Sequence, residues 1–211
     1  MGQPMKLYYC ETLNPRKACA AARYLGLDVE FIRVDLARGE QRTPDFLALN
    51  PNGKVPVLTD GDLRLWEANA IMYFLSDRAG SDFWPGDARR FDLTRWMSWD
   101  AAHFTRHGAT IWFERLIKPL LGLQEDERII EEARSSLLVS CRIIDEHLAD
   151  RTWTVGTAAT AADFAIGAAL PYAGAMGFDF SQFPHLSRWY EALDRIDAWH
   201  NPFPSNTNRI G

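Results

Sequence analysis

"KLYYCETLNPRKACAAARYLG", residues 6–26, reads as a strand, a polar turn and a helix. Residues 5–10 are short, apolar and aromatic, the composition of a buried strand. Asn14 and Pro15 make a strong helix start, with Asn at the N-cap and Pro at the first helical position. Ala18, Ala21, Ala22 and Leu25 then recur at helical spacing, and Gly26 ends the helix. "VEFIRVDL", 29–36, is a second strand. Strand, helix and strand within so short a span form a βαβ unit, so the two strands are expected to run parallel.

The same reasoning extends along the chain. Thr43 and Pro44 open a short helix. "VPVLTDGDLRLW", 55–66, is a hairpin whose positive φ angles are expected from Asp60 and Gly61. A helix follows over 68–80 and is closed by Gly80. "SDFWPGDA", 81–88, is a linker, and beyond it only the helical period appears. One stretch runs from about Arg89 towards Leu121, with Trp96, Trp99 and His103 on one face. Another runs from Glu125 to about Leu148 with Ile129, Ala133, Leu137, Cys141 and Ile144 as its apolar stripe. "TAADFAIGAAL" (160–170) and "FPHLSRWYEALDRI" (183–196) complete it. The expected organisation is a small βαβ-ββα domain over 1–80, a linker over 81–88 and an all-α domain over 89–211.

Composition narrows the function classes. A net charge of −5 offers no electrostatic attraction to nucleic acid or an anionic membrane. No apolar run approaches the ~20 residues needed to cross a bilayer. "MGQPMKLYY" lacks the apolar core of a secretory signal, and Lys6 stands where myristoylation needs Ser or Thr. Cys10, Cys19 and Cys141 have no disulfide or CxxC spacing. A cytoplasmic protein with reduced thiols is therefore expected. The five histidines show no metal-ligand spacing, so no metal is expected.

Three motifs carry a resemblance. "NPNGKVPVL" (50–58) is similar to the segment of cytosolic glutathione transferases that contains a cis Val-Pro bond. "WEANAIMYFL" (66–75) resembles that family's Glu-Ser-x-Ala-Ile helix start. "TAADFAI" (160–166) resembles its Thr-x-x-Asp capping box. The order of elements also looks like the family's thioredoxin-like domain followed by a helical bundle. The resemblance covers nearly the whole chain and implies a homodimer that uses glutathione as co-substrate and conjugates it to a hydrophobic electrophile. Glutathione-dependent disulfide or peroxide reduction, or non-catalytic ligand binding on the same fold, are the alternatives it leaves open.

The resemblance also implies site residues. Val55 and Pro56 would present backbone to an extended peptide such as glutathione. Glu67 would accept its γ-glutamyl ammonium, while Gln41 and Lys54 would meet its glycyl carboxylate. The family has Ser after the Glu. Here it is Ala68, which lacks the hydroxyl, so a weakened γ-glutamyl contact is expected. Thr160 and Asp163 are assigned to folding, since their spacing satisfies helix amides. Trp99, His103, Phe104, Trp112 and Phe113 are candidates for the electrophile site.

Catalysis in this family requires the glutathione thiolate. Matching the opening segment to the branch with a catalytic cysteine puts that cysteine at Asn14, so Cys10 and Cys19 are read as structural. Thr12-Leu13-Asn14 resembles the Thr-x-Asn pattern of the bacterial nu-like branch, within a nu/theta-like active-site turn. Tyr9 is a further candidate, because other branches use a tyrosine hydroxyl near this strand end. Which of Asn14, Thr12 and Tyr9 activates the thiol stays open at this point.

Overall fold

The computed structural model describes residues 4–204 and divides into two units. The first comprises Met1–Ser81 together with the segment from Ile196 onward; the second is Asp82–Arg195.

The first unit holds a four-stranded sheet in the order β2-β1-β3-β4. Strand β1 (Met5–Tyr9) buries Met5, Leu7 and Tyr9 on one face, as alternation requires. Helix α1 (Leu13–Tyr24) crosses to β2 (Val29–Arg33), and the β1–β2 pairing is parallel as expected. Gly26, at φ 64°, ends α1: its amide bonds to Arg23 O and that of Leu27 to Ala22 O, the doubly bonded Schellman arrangement. Strand β2 stops short of residue 36, because the Asp35 carboxylate accepts the amides of Ala37 and Arg38 and turns the chain.

Helix α2 (Pro44–Leu49) is capped by the Thr43 hydroxyl. Strands β3 (Val57–Asp60) and β4 (Leu63–Trp66) pair antiparallel, β3 lying against β1. Gly61 alone carries the hairpin's positive φ; Asp60 is still within the strand, opposite Leu63. Helix α3 (Ala68–Ala79) follows and Gly80 closes it at φ 59°.

The start of α1 also differs from expectation. The N-cap is Thr12, in extended conformation, and Asn14 is the second helical residue. Burial of Leu13 decides this, since its apolar side chain is drawn into the core with the first turn. Pro15 remains in that turn, where a missing N–H costs little.

In the second unit, α4 (Arg89–Trp99), α5 (Thr105–Trp112) and α6 (Lys118–Leu120) form one helical path interrupted by two π-helical segments, Asp100–Phe104 and Phe113–Ile117. The first is braced by the Thr105 hydroxyl, which donates to Asp100 Oδ1 at 2.6 Å across five residues. The second leads to Pro119, which has no N–H to bond residue 115 and crowds its carbonyl. Helix α7 (Glu127–His147) starts at Asp126, whose carboxylate caps the amides of Arg128 and Ile129. Its buried stripe begins at Ile130, not Ile129.

Helix α8 (Ala161–Ile166) and a 3₁₀ segment (Gly167–Tyr172) lead to α9 (Pro184–Asp194). Asp163, with no exposure, accepts the Thr154 and Thr160 amides, each at 2.8 Å, and the Trp189 indole N–H at 2.8 Å.

Helix α10 (Asp197–His200) belongs to the first unit, not to the helical domain assigned from sequence. Trp199 is fully buried there. Arg16 Nη2 donates to the Trp199 carbonyl at 2.7 Å, and its guanidinium lies 4.9 Å from the indole centroid. Side-chain chemistry 183 positions away in sequence thus draws the end of the chain back onto α1.

Candidate functional site

The first group of site residues gathers at one end of the sheet in the first unit. Thr12 caps α1 with its backbone, but its hydroxyl makes no bond to the helix amides. That is unusual for a threonine N-cap and leaves the oxygen for other work. Asn14 is exposed one residue into the helix. The first intrahelical bond runs from Arg16 N to Thr12 O, so the amides of Leu13 and Asn14 precede it and lie at the positive end of α1.

Cys10 sits just beyond β1, half-buried, with its thiol 3.6 Å from Glu11 Oε2. Burial, then the Glu11 carboxylate, push the Cys10 thiol up, opposite to what a reactive thiolate needs. Cys19 is fully buried and burial raises it far more. Cys141, in the other unit, is pushed up to about 12 by burial.

Tyr9 is in the core rather than the turn. Its ring stacks on Phe203 at 5.7 Å and meets Phe31 edge-on at 6.2 Å. Burial, followed by Glu11, raises its hydroxyl pKa.

The Val55–Pro56 peptide bond is cis, as the resemblance implied. The antiparallel register Tyr8↔Val57 puts Pro56 one position further, beside the end of β1 and thus close to the 10–13 turn. The loop before it is shaped by Asn50, a residue that sequence reasoning passed over. Its buried amide donates to Lys54 O at 2.7 Å and accepts from Asn52 N at 3.0 Å. "NPNG" carried the signal, since Asn beside Pro and Gly is turn chemistry.

Gly53, at φ 59°, brings this loop onto residue 41: a Cβ there would stand 3.0 Å from the Gln41 carbonyl. Gln41 thus lies against the residue that precedes Lys54. The Gln41 amide nitrogen donates to Leu36 O at 3.3 Å, whereas Lys54 is exposed.

Glu67 is the one described non-glycine residue with positive φ, 74°. This sparsely populated conformation costs of order 1–3 kcal/mol. It holds an exposed carboxylate at the α3 N-cap without bonding it to the helix amides. Ala68 is buried at the first helical position and half-buried Asn69 follows.

All five electrophile candidates lie in or immediately before the two π segments of the second unit. Trp99 precedes the first, which contains His103 and Phe104; its ring centroid is 6.4 Å from His103 and 5.8 Å from Phe104. Phe104 has no exposure and backs the cluster, while His103 is exposed. Trp112 precedes the second and meets Tyr172 edge-on at 6.1 Å; Phe113 begins it and is exposed. The five thus form two aromatic groups rather than one. Among the described residues, no group of three or more His, Cys, Asp or Glu is placed to hold a metal ion, and no helix is long and apolar enough to cross a membrane.

Comparison with known proteins identifies the family and the fold. The glutathione S-transferase N-terminal domain model matches residues 3–77, and the C-terminal domain model matches residues 101–196. Glutathione S-transferase 3 of Zea mays is 33% identical over 202 residues, covering 90% of this chain and 89% of the relative. A solved structure of glutathione S-transferase III in apo form is 29% identical with a TM-score of 0.82, covering 96% of this chain and 99% of that one. Glutathione S-transferase I from mais, in complex with an atrazine glutathione conjugate, shares the fold at a TM-score of 0.84, with 24% identity and coverage of 95% and 96%. The chain belongs to the glutathione S-transferase family. Its fold is the family's, a thioredoxin-like domain with a helical one, and its class of activity is glutathione transfer.

Proposed function

We propose that Asn14 and Thr12 stabilise the thiolate of bound glutathione, which then attacks a hydrophobic electrophile. The observation that carries this reading is the N-cap of α1, where a threonine hydroxyl is not used for capping beside an exposed Asn14. A free thiol with a pKa near 8.5 is only a few per cent ionised at neutral pH. Lowering it by two units requires about 2.7 kcal/mol. A hydrogen bond to a charged sulfur, at about 1.5–3 kcal/mol, together with the helix terminus, supplies that order. Tyr9 is left out of this role because its ring is stacked inside the core.

In the same reading, cis-Pro56 and Val55 offer backbone to the tripeptide, Lys54 and Gln41 meet its glycyl carboxylate, and Glu67 takes the γ-glutamyl ammonium. The carboxylate of that end lies at the α3 N-terminus, where Ala68 contributes an amide but no hydroxyl. The aromatic groups around Trp99, His103 and Phe104, and around Trp112 and Phe113, take up the electrophile. In this reading 1–80 serves glutathione and the helical domain beyond the 81–88 linker serves the electrophile, with α10 grouped with the first unit. The Thr12-x-Asn14 turn also supports placement with the bacterial nu-like branch.

We further infer a cytoplasmic homodimer. Three free cysteines, two of them buried, suit a reducing compartment. Trp66, Tyr73 and Phe91 are large apolar side chains left exposed on the single chain. Light scattering at micromolar concentration is expected to give twice the chain mass, and a monomer contradicts it. Calorimetric titration with glutathione, followed by turnover of a chloronitroaromatic, tests the activity. Absence of glutathione binding overturns the reading, and turnover of disulfides or peroxides alone favours the reductase.

A further inference from the structure

The helical unit contains a cleft that none of these roles uses. It lies between the turn after the 3₁₀ segment and the first turns of α9, with a volume of about 600 Å³. Small-molecule sites have that size. It shares no residue with the two aromatic groups described above.

Three aromatic side chains line it. Phe180 and Tyr190 meet at 88° with centroids 5.7 Å apart, forming a right-angled corner, and Phe178 lines the cleft beside them. The turn that carries these rings is well tied. Phe178 N donates to Ala173 O at 2.9 Å, and Arg134 Nη1 reaches Gly177 O at 2.9 Å from α7. A wall fixed in advance loses little entropy when a ligand arrives.

The charge at the cleft has one sign. Asp179 and Glu191 line it, and no Lys, Arg or His does. The Asp179 carboxylate accepts the Ser181 amide at 2.8 Å and its hydroxyl at 2.9 Å, and the amide bond first, then the hydroxyl, hold it below the usual carboxylate range. Glu191 has only a long contact with Arg195, at 3.9 Å. Aromatic faces present the negative end of their quadrupole, so rings and carboxylates attract the same ligand. An anion would be repelled, and a neutral apolar ligand would draw water away from two charges without compensating them.

We propose that this cleft binds organic monocations, an ammonium group carried on an aromatic or short alkyl body. The body fills the corner of Phe180 and Tyr190, and the ammonium faces Asp179 and Glu191.

Titration calorimetry on the full chain with 2-phenylethylammonium, 2-phenylethanol and 3-phenylpropionate tests this. The ammonium is expected to bind about tenfold or more tightly than the alcohol, consistent with one cation–π contact plus a charge pair. The carboxylate is expected not to bind. Glu191→Gln and Phe180→Leu should each weaken the ammonium at least about threefold with unchanged glutathione affinity, and Glu191→Gln should also leave the thermal midpoint unchanged. Equal binding of ammonium and alcohol, no detectable ammonium binding, or ammonium binding indifferent to both substitutions overturns the proposal. Glu191 is exposed on α9, so its substitution reads the charge without disturbing the core.

Discussion

Tyr9 stacks on Phe203 with ring centroids 5.7 Å apart and planes inclined by 13°. The pair joins the end of β1 to the returning C-terminal segment, within the first unit. It assigns Tyr9 to packing. Tyr9→Phe should keep the stack and leave glutathione turnover within about twofold of the parent, whereas Phe203→Ala should lower stability by about 0.5–1.5 kcal/mol beyond its lost burial. Steady-state kinetics and urea unfolding check the two halves. A large loss of turnover in Tyr9→Phe would return the hydroxyl to the list of catalytic groups.

The Asp163 carboxylate gathers the Thr154 and Thr160 amides, the Thr160 hydroxyl and the Trp189 indole at no exposure. An amide of the same shape turns one acceptor into a donor facing donors. Asp163→Asn is expected to cost at least about 2 kcal/mol, by leaving buried donors unpaired. A urea midpoint within error of the parent contradicts this.

How much of this was legible follows from the range of each interaction. Gly26 and Gly80 announced two helix ends because a left-handed residue is a local need. The parallel β1–β2 pairing followed from connection length alone. Asn14 was misplaced at the N-cap because capping preference competes with burial of Leu13, which only the folded core decides. The π segments change the hydrogen-bond register, which no residue type in the sequence announces, and Pro119 lies just beyond the second of them. The return of α10 depends on Arg16 meeting Trp199 across 183 positions, a distance no periodicity spans. At the site, the resemblance marked Lys54, Glu67 and Asn14, whereas Asn50, which shapes the loop through its side-chain amide, and Gly53, which acts through backbone geometry, passed unnoticed.

Gly53 is a case in point. Its φ of 59° and the 3.0 Å approach to Gln41 O leave no room for a side chain. Gly53→Ala should destabilise by about 1–3 kcal/mol and raise the glutathione KM, because the loop bearing Lys54 must move off residue 41. Thermal unfolding and kinetics at varied glutathione test it; an unchanged KM would separate this loop from glutathione binding.

Arg33 holds Glu11 with Nε–Oε1 at 2.8 Å. Burial pushes the Glu11 carboxyl up, but the bond from Arg33 and the local backbone outweigh it, leaving it below its ordinary 4.5. A depressed folded pKa stabilises above the unfolded value and loses that contribution as pH falls through the folded one. The pair is partly exposed, so Glu11→Gln should cost no more than about 1 kcal/mol at neutral pH. The gap between parent and variant should close below pH 4.5. A gap that widens on acidification contradicts the assignment.

Ala68 lacks the hydroxyl that the family pattern supplies. Ala68→Ser is expected to tighten glutathione roughly tenfold, the worth of one hydrogen bond to a charged group, with a smaller change in turnover at saturation. An unchanged or weaker dissociation constant would mean that Asn69 or another group already serves the γ-glutamyl carboxylate.

The most direct test of the account is the pKa of the glutathione thiol in the complex, followed by thiolate absorbance across pH. In the parent it should lie about two units below a free thiol's value near 8.5. Asn14→Ala should return much of that shift, with Thr12→Val adding to it, while Cys10→Ala and Cys19→Ala leave it in place. A bound thiol titrating at its free value, or one that responds to Cys10 and not to Asn14, would contradict the assignment of the α1 N-terminus as the thiolate site.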